Sequence, residues 1–124
     1  KRCVKILAIG SSSTVGVGAS SPSASYVARL GKSLEGSIVG MDFDVVGRGI
    51  GGEGAEGAAA RMKREVEETK PDLVVWQVGT NDAINRVDIE HHRLAVDSHL
   101  AKFRDRNRPN LARRRRTPRW PARP

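Results

Sequence analysis

Three short segments carry the residues with chemical potential: Gly10-Ser11-Ser12-Ser13-Thr14, Gly47-Arg48-Gly49-Ile50-Gly51-Gly52 and Gly79-Thr80-Asn81-Asp82. They offer a serine hydroxyl, glycine backbone N–H groups and an asparagine amide. A serine hydroxyl is a weak nucleophile until a base takes its proton. Its attack on an acyl carbon creates an oxyanion, which fixed N–H donors stabilise. Ser12 stands just past an apolar run, where its hydroxyl can point into a crevice. The glycines let backbone approach a reacting group closely, and the Asn81 side chain is a further donor.

Each segment follows an apolar run: Val4–Ile9, Phe43–Val46 and Leu73–Val78. Short apolar runs ended by glycine read as buried parallel strands. Residues 11–23 are rich in Ser and Gly and read as loop. Pro22 suits the first turn of a helix reaching about Glu35, with Val27, Leu30 and Leu34 facing the sheet. A second helix spans about Ala55–Thr69. Ala55, Ala58, Ala59, Met62 and Val66 form its buried stripe; Arg61, Lys63, Arg64, Glu65, Glu67 and Glu68 form a mostly solvated face. A third helix covers roughly Asp88–Phe103, with Ile89, Val96, Leu100 and Phe103 on one side. Strand–helix alternation of this kind predicts βαβ units and a parallel sheet with helices on both faces. Loops at the carboxyl ends of neighbouring strands then converge on one crevice.

At these residues the chain resembles the SGNH (GDSL-type) hydrolase family, over about residues 3–100. The family's first block, Gly-Asp-Ser-x-Thr-x-Gly, corresponds to Gly10-Ser11-Ser12-Ser13-Thr14-Val15-Gly16, and its nucleophile falls on Ser12. The second, Asn-x-Gly-x-x-Gly, corresponds to Gly47-Arg48-Gly49-Ile50-Gly51-Gly52, and its oxyanion-hole glycine falls on Gly52. The third, Gly-x-Asn-Asp, corresponds to Gly79-Thr80-Asn81-Asp82, and its oxyanion-hole asparagine falls on Asn81. The resemblance implies a flavodoxin-like three-layer α/β/α sandwich with a parallel sheet. It also implies a hydrolase of the esterase, lipase, acyl-thioesterase or carbohydrate-deacetylase kind, acting on a small ester or acylated carbohydrate. No cofactor or metal is implied. Ser11 replaces the first-block aspartate and Gly47 the second-block asparagine, so the hydrogen bonding around the nucleophile is expected to be looser. The family's fourth block, an Asp-x-x-His that supplies the base and its orienting acid, is expected to be missing; the one Asp-x-x-His string, Asp88-Ile89-Glu90-His91, falls at the start of the third predicted helix. Removal of the base costs a serine triad several orders of magnitude in rate.

Other assignments of the same residues are weaker. Gly47-x-Gly49-x-x-Gly52 fits a dinucleotide fingerprint, but it follows the second strand and no acidic residue closes a further strand at the required spacing. Asn81 and Asp82 also suit turn and capping roles, and Asp82 is expected to be structural. His91, His92 and His99 all fall on the third helix. His92 lies near its apolar stripe and is expected to be partly buried; His91 and His99 are expected to face solvent. None is expected to stand as the base for Ser12, and adjacent His91 and His92 point apart on a helix, which argues against a metal site. Cys3, the single cysteine, excludes an intrachain disulfide and reads as a small buried residue.

Charge is divided unevenly. Residues 101–124 hold ten Lys/Arg and one acid, Asp105, for +9; residues 1–100 hold twelve basic and thirteen acidic residues, for −1. The whole-chain +8 therefore says little about the domain, expected over residues 1–103. Residues 104–124 hold four of the six prolines and the run Arg113–Arg116. Such composition cannot bury enough apolar surface to order itself, and an out-of-frame reading of a GC-rich gene would yield it. The sheet is accordingly expected to be shortened at its C-terminal side. The second functional reading is a non-enzymatic fragment whose basic segment binds polyanions without specificity. No apolar run is long enough to span a membrane. No signal-peptide pattern is present and Lys1 is not a methionine, so an upstream segment is expected to have been lost, with export or a periplasmic location compatible with the resemblance. Compartment and oligomeric state are left open.

Overall fold

The structure, a computed structural model, describes residues 2–106. Strand β1 (Arg2–Gly10) is followed by α1 (Ser12–Val15), a 3₁₀ turn at Pro22–Ala24, and α2 (Tyr26–Leu34). Then come β2 (Met41–Gly49), α3 (Ala55–Thr69), β3 (Leu73–Trp76), α4 (Thr80–Ile84) and α5 (Ile89–Arg106). The three strands form one parallel sheet in the order β2-β1-β3. That order places β1 in the centre, which explains its apolar run: Ile6, Leu7, Ala8 and Ile9 are all buried. Full burial of an Ile or Leu contributes about 1.5–3 kcal/mol each.

Register shows which helix covers which face. Residues paired across a parallel ladder project to the same side, so Ile6, Ala8 and Gly10 share a face with Val45, Gly47 and Gly49. A side-chain carbon at Gly31 of α2 would meet Val45, and one at Gly47 would meet Val27, so α2 covers this face. The opposite face carries Leu7, Ile9, Arg48 and Trp76. Arg48 pairs with Glu65 of α3, and the Trp76 ring meets His99 of α5 edge-on at 6.3 Å. The result is a three-layer α/β/α arrangement of flavodoxin-like strand order. The chain passes from β1 to one neighbour and then crosses back to the other, and the end of β1 is the switch point where such sheets bind ligands.

Several local expectations are corrected. Residues 12–15 are helical rather than loop, and Pro22 opens a 3₁₀ turn rather than α2. The latter helix starts at Tyr26, with the Ser25 hydroxyl accepting from the Ala28 N–H at 3.3 Å. Strand β2 is longer than its apolar run at both ends, because pairing with β1 continues through Gly47, Arg48 and Gly49. Strand β3 stops at Trp76, where Gln77 turns its side chain to Ser11. Cys3 is exposed, since β1 begins before either helical layer covers it. Ile89 and Leu100 are exposed rather than packed, and His99 is half-buried by its contact with Trp76. Helix α5 runs to Arg106; the side chain of Phe103 and residues 107–124, with most of the Arg/Pro-rich segment, lie outside what is described. Among the described residues no helix is long and apolar enough to cross a membrane.

Candidate functional site

The end of β1 is crowded, and the crowding explains its composition. A side-chain carbon on Gly10 would collide with the Thr14 hydroxyl and lie 2.8 Å from Gln77 Oε1. One on Gly49, paired beside it, would lie 2.6 Å from the Val15 nitrogen and 2.8 Å from the Ser11 carbonyl oxygen. Absence of both side chains lets the chain wind directly from the strand into α1, where the Thr14 and Val15 N–H groups donate to the Ser11 carbonyl at 3.1 and 3.2 Å. The Ser11 N–H and hydroxyl both donate to Gln77 Oε1 at 3.2 Å. Gln77 thus restrains the segment in which Ser11 stands for the aspartate of the resembling block. Ser12, the next residue, opens α1 and is half-buried. Its hydroxyl makes no hydrogen bond with any described residue.

The turn after β2 lies against this segment. The Ile50 N–H donates to the Gly10 carbonyl at 3.0 Å, and a side-chain carbon on Gly51 would lie 4.0 Å from Ser12 Cβ. Gly52 has φ +78° with open space beside it, a conformation that glycine adopts at no steric cost. The next residue joins the turn to the end of β3: Asn81 Nδ2 donates to the Glu53 carbonyl at 3.0 Å. That carbonyl can only accept, so the amide nitrogen must face it, and the second amide hydrogen is left for another acceptor.

Asp82 supplies the neighbouring tie. The first N–H of α3, at Ala55, donates to its two carboxylate oxygens at 3.3 Å each. Gly54, at the N-cap of α3, has no side chain to do this, and any side-chain carbon there would collide with Asp82. His92 Nδ1 also contacts the Asp82 carboxylate. Asp82 therefore caps α3 across space and holds α5 beside it, the structural role expected for it.

Lys63, Arg64, Glu67 and Glu68 are exposed as expected of the solvated face of α3, but Arg61 and Glu65 depart from it: both are buried. Arg61 Nε donates to both Glu53 oxygens at 2.9 Å. Its Nη2 donates to the Gly10 carbonyl at 3.1 Å and to the Arg48 carbonyl at 3.2 Å. Nη1 lies 3.5 Å from Glu65 Oε1, while Arg48 Nε pairs with Glu65 Oε2 at 3.4 Å without the alignment of a hydrogen bond. Arg64 Nη2 also lies 3.8 Å from Glu65 Oε1, so the Glu53 and Glu65 carboxylates each face at least one guanidinium, which offsets part of their desolvation cost.

Ser12, Gly52 and Asn81 thus lie on segments that meet at one end of the sheet. The histidines do not join them: His92 is bound to Asp82, His99 meets Trp76, and exposed His91 pairs with Glu56 at 3.1 Å. The Glu56 hydrogen bond, then its charge, holds the His91 pKa above the ordinary imidazole value. A groove of about 430 Å³ between α3 and α5 is lined by Glu56, Ala59, His91, Leu94, Ala95 and Ser98, and none of the predicted site residues borders it. Among the described residues no cluster of three or more His, Cys, Asp or Glu could hold a metal ion. Sequence reasoning missed Gln77, Glu53 and Arg61. The available signal for Arg61 was its place three residues after Ala58 and four before Glu65, at the margin of the buried stripe.

Comparison with solved structures gives the same architecture. AlinE4, an SGNH-hydrolase family esterase, superposes with a TM-score of 0.75 at 23% identity, covering 86% of this chain and 56% of its own. TesA superposes at 0.73 with 31% identity, covering 82% and 54% respectively. A two-domain esterase active on acetylated mannans superposes at 0.72 with 23% identity, over 83% of this chain and 27% of that one. The chain spans about half the length of the first two. No curated protein matches it. The model of one family matches residues 8–123, nearly the whole sequence, and on that match the chain belongs to the GDSL-like lipase/acylhydrolase family.

Proposed function

We propose that Ser12 is the nucleophile of a serine hydrolase acting on ester or acyl substrates, with the Gly52 N–H, the Asn81 amide and the Ser12 N–H as oxyanion donors. The Ser12 oxygen attacks the acyl carbon, the alcohol leaves, and water then releases the acid from the acyl-serine. Preorganised donors contribute because they need no reorientation as the negative charge develops; loss of one costs about 10²–10³ in rate. The observation that carries this reading is the Asn81–Glu53 bond. It fixes the Asn81 amide to the residue after Gly52, in the turn whose Gly51 neighbours Ser12, and leaves the second amide hydrogen for another acceptor. Membership of the acylhydrolase family supports the reaction class. Acylated carbohydrates enter as a substrate class through the mannan-active esterase of the same fold.

The one Asp-x-x-His string, Asp88-Ile89-Glu90-His91, holds its histidine on Glu56 in the groove between α3 and α5, which Ser12 does not border, so the family's block that takes the serine proton has no counterpart beside Ser12 among the described residues. The chain alone is therefore expected to hydrolyse a short-chain aryl ester roughly six orders of magnitude more slowly than a form extended by a segment bearing that block. In the extended form, Ser12→Ala abolishes the gain. Equal hydrolysis by the extended form with and without Ser12 would remove the assignment.

A further inference from the structure

We propose that Arg61 is a positioning residue that sets the spacing between the serine segment and the two segments that carry the oxyanion donors. The inference rests on the roles given above to Ser12, Gly52 and Asn81. Arg61 reaches from α3 to the ends of two strands. Its Nη2 binds the Gly10 carbonyl, two residues before Ser12, and the Arg48 carbonyl, at the end of β2 before the glycine turn. Its Nε grips the carboxylate of Glu53, the residue after Gly52. The backbone carbonyl of that same Glu53 receives the Asn81 amide. One planar group is thus one or two bonded steps from each of the three donors and from the nucleophile.

The chemistry of guanidinium suits this task. Its donors leave a rigid plane in fixed directions, so fixing one contact fixes the others. An ammonium carries the same charge but cannot hold a carboxylate and two carbonyls in one plane. A residue serving only charge balance would need its glutamates alone. Arg61 instead engages two strand-terminal carbonyls, one of which also accepts the Ile50 N–H. Small misplacements of reacting groups cost large factors in rate, so a clasp at this point acts on chemistry without touching substrate.

The test compares the full chain with its Arg61→Lys and Arg61→Met variants, and with Lys63→Met on the exposed side of the same helix. Amide hydrogen exchange is read at residues 10–13, 50–53 and 79–81 against the β1 core at Ile6–Ile9. Reaction of Ser12 with a fluorophosphonate is followed by intact mass at alkaline pH, where hydroxide takes the serine proton in place of the base; the serine oxygen bonds to phosphorus and fluoride leaves. Arg61→Lys keeps a cation beside Glu53 and so guards against loss of fold in Arg61→Met. Both Arg61 variants are expected to raise exchange in the three segments by about tenfold, the size of one charged hydrogen bond, with the β1 core unchanged. They are expected to slow phosphonylation by a similar factor, and Lys63→Met to change neither. Segments unaffected in both Arg61 variants, or exchange rising as much at Ile6–Ile9 as in the segments, would overturn the proposal. A wild-type chain phosphonylated no faster than its Ser12→Ala variant overturns the nucleophile assignment alone; the exchange pattern then still upholds or overturns the role of Arg61.

Discussion

Gly49 shows how a missing side chain can carry as much of the site as a present one. Backbone atoms of Val15 and Ser11 occupy the space its side chain would need, and neither can move without displacing α1. Gly49→Ala is therefore expected to lower stability by about 1–3 kcal/mol, the usual range for an overpacked position. The cost should fall on the serine segment first, and denaturant titration will measure it. A melting curve unchanged from wild type would mean that α1 does not sit on the strand end as described. Gly52 presents the opposite case: open space but a left-handed φ, so the penalty of substitution there is conformational rather than steric. Asp82 is a buried polar residue with direct structural consequence, since it holds both the first N–H of α3 and the ring of His92. Asp82→Ala leaves those donors without a partner and is expected to cost about 1–3 kcal/mol in chemical denaturation. A loss much smaller than this would show that another group or water caps the helix.

At the scale of elements, α3 links everything. Its alanine stripe and Met62 pack inward, its margin supplies Arg61 and Glu65, and its N-terminus is capped from the β3 side. Its exposed first turn also meets α5 through Glu56 and His91. Because the carboxylate raises the His91 pKa, folding favours the protonated ring. That contribution is fully present below the unfolded value near pH 6.5 and is lost as pH rises through the higher folded value. The stability difference between wild type and His91→Gln should therefore shrink as pH increases across this window, read from thermal unfolding midpoints. A difference that grows with pH would contradict the pairing. The strands were legible in the sequence because buried parallel strands are short apolar runs, and Val4–Ile9 and Leu73–Val78 are such runs. The outer half of β2 was not: Gly47, Arg48 and Gly49 have poor strand propensity, and pairing with β1 alone makes them strand. Arg61 and Glu65 were hidden for a related reason. Helical periodicity assigns charges to solvent, whereas here the partners that bury them come from Glu53, Gly10 and Arg48, distant in sequence.

For the molecule as a whole, alternation of strand and helix was enough to predict a parallel sheet, and the glycine-rich segments were enough to place the crevice at the carboxyl ends. Which side of β1 each strand joins was not readable, because it depends on the crossover from β2 to β3 and not on any local pattern. The described residues form three strands in a chain that spans about half the length of AlinE4 and TesA, and Leu73, Ile84, Ile89 and Leu94, on β3, α4 and α5, are exposed. The most direct measurement is a peptide map of the chain after reaction with a fluorophosphonate at alkaline pH, where hydroxide stands in for the base, made on wild type, Ser12→Ala and Asn81→Ala. The account predicts an adduct on Ser12 rather than on Ser11 or Ser13, absent from Ser12→Ala and formed at least about tenfold more slowly in Asn81→Ala, as loss of an oxyanion donor requires. An adduct on another serine, or equal labelling of all three proteins, would contradict it.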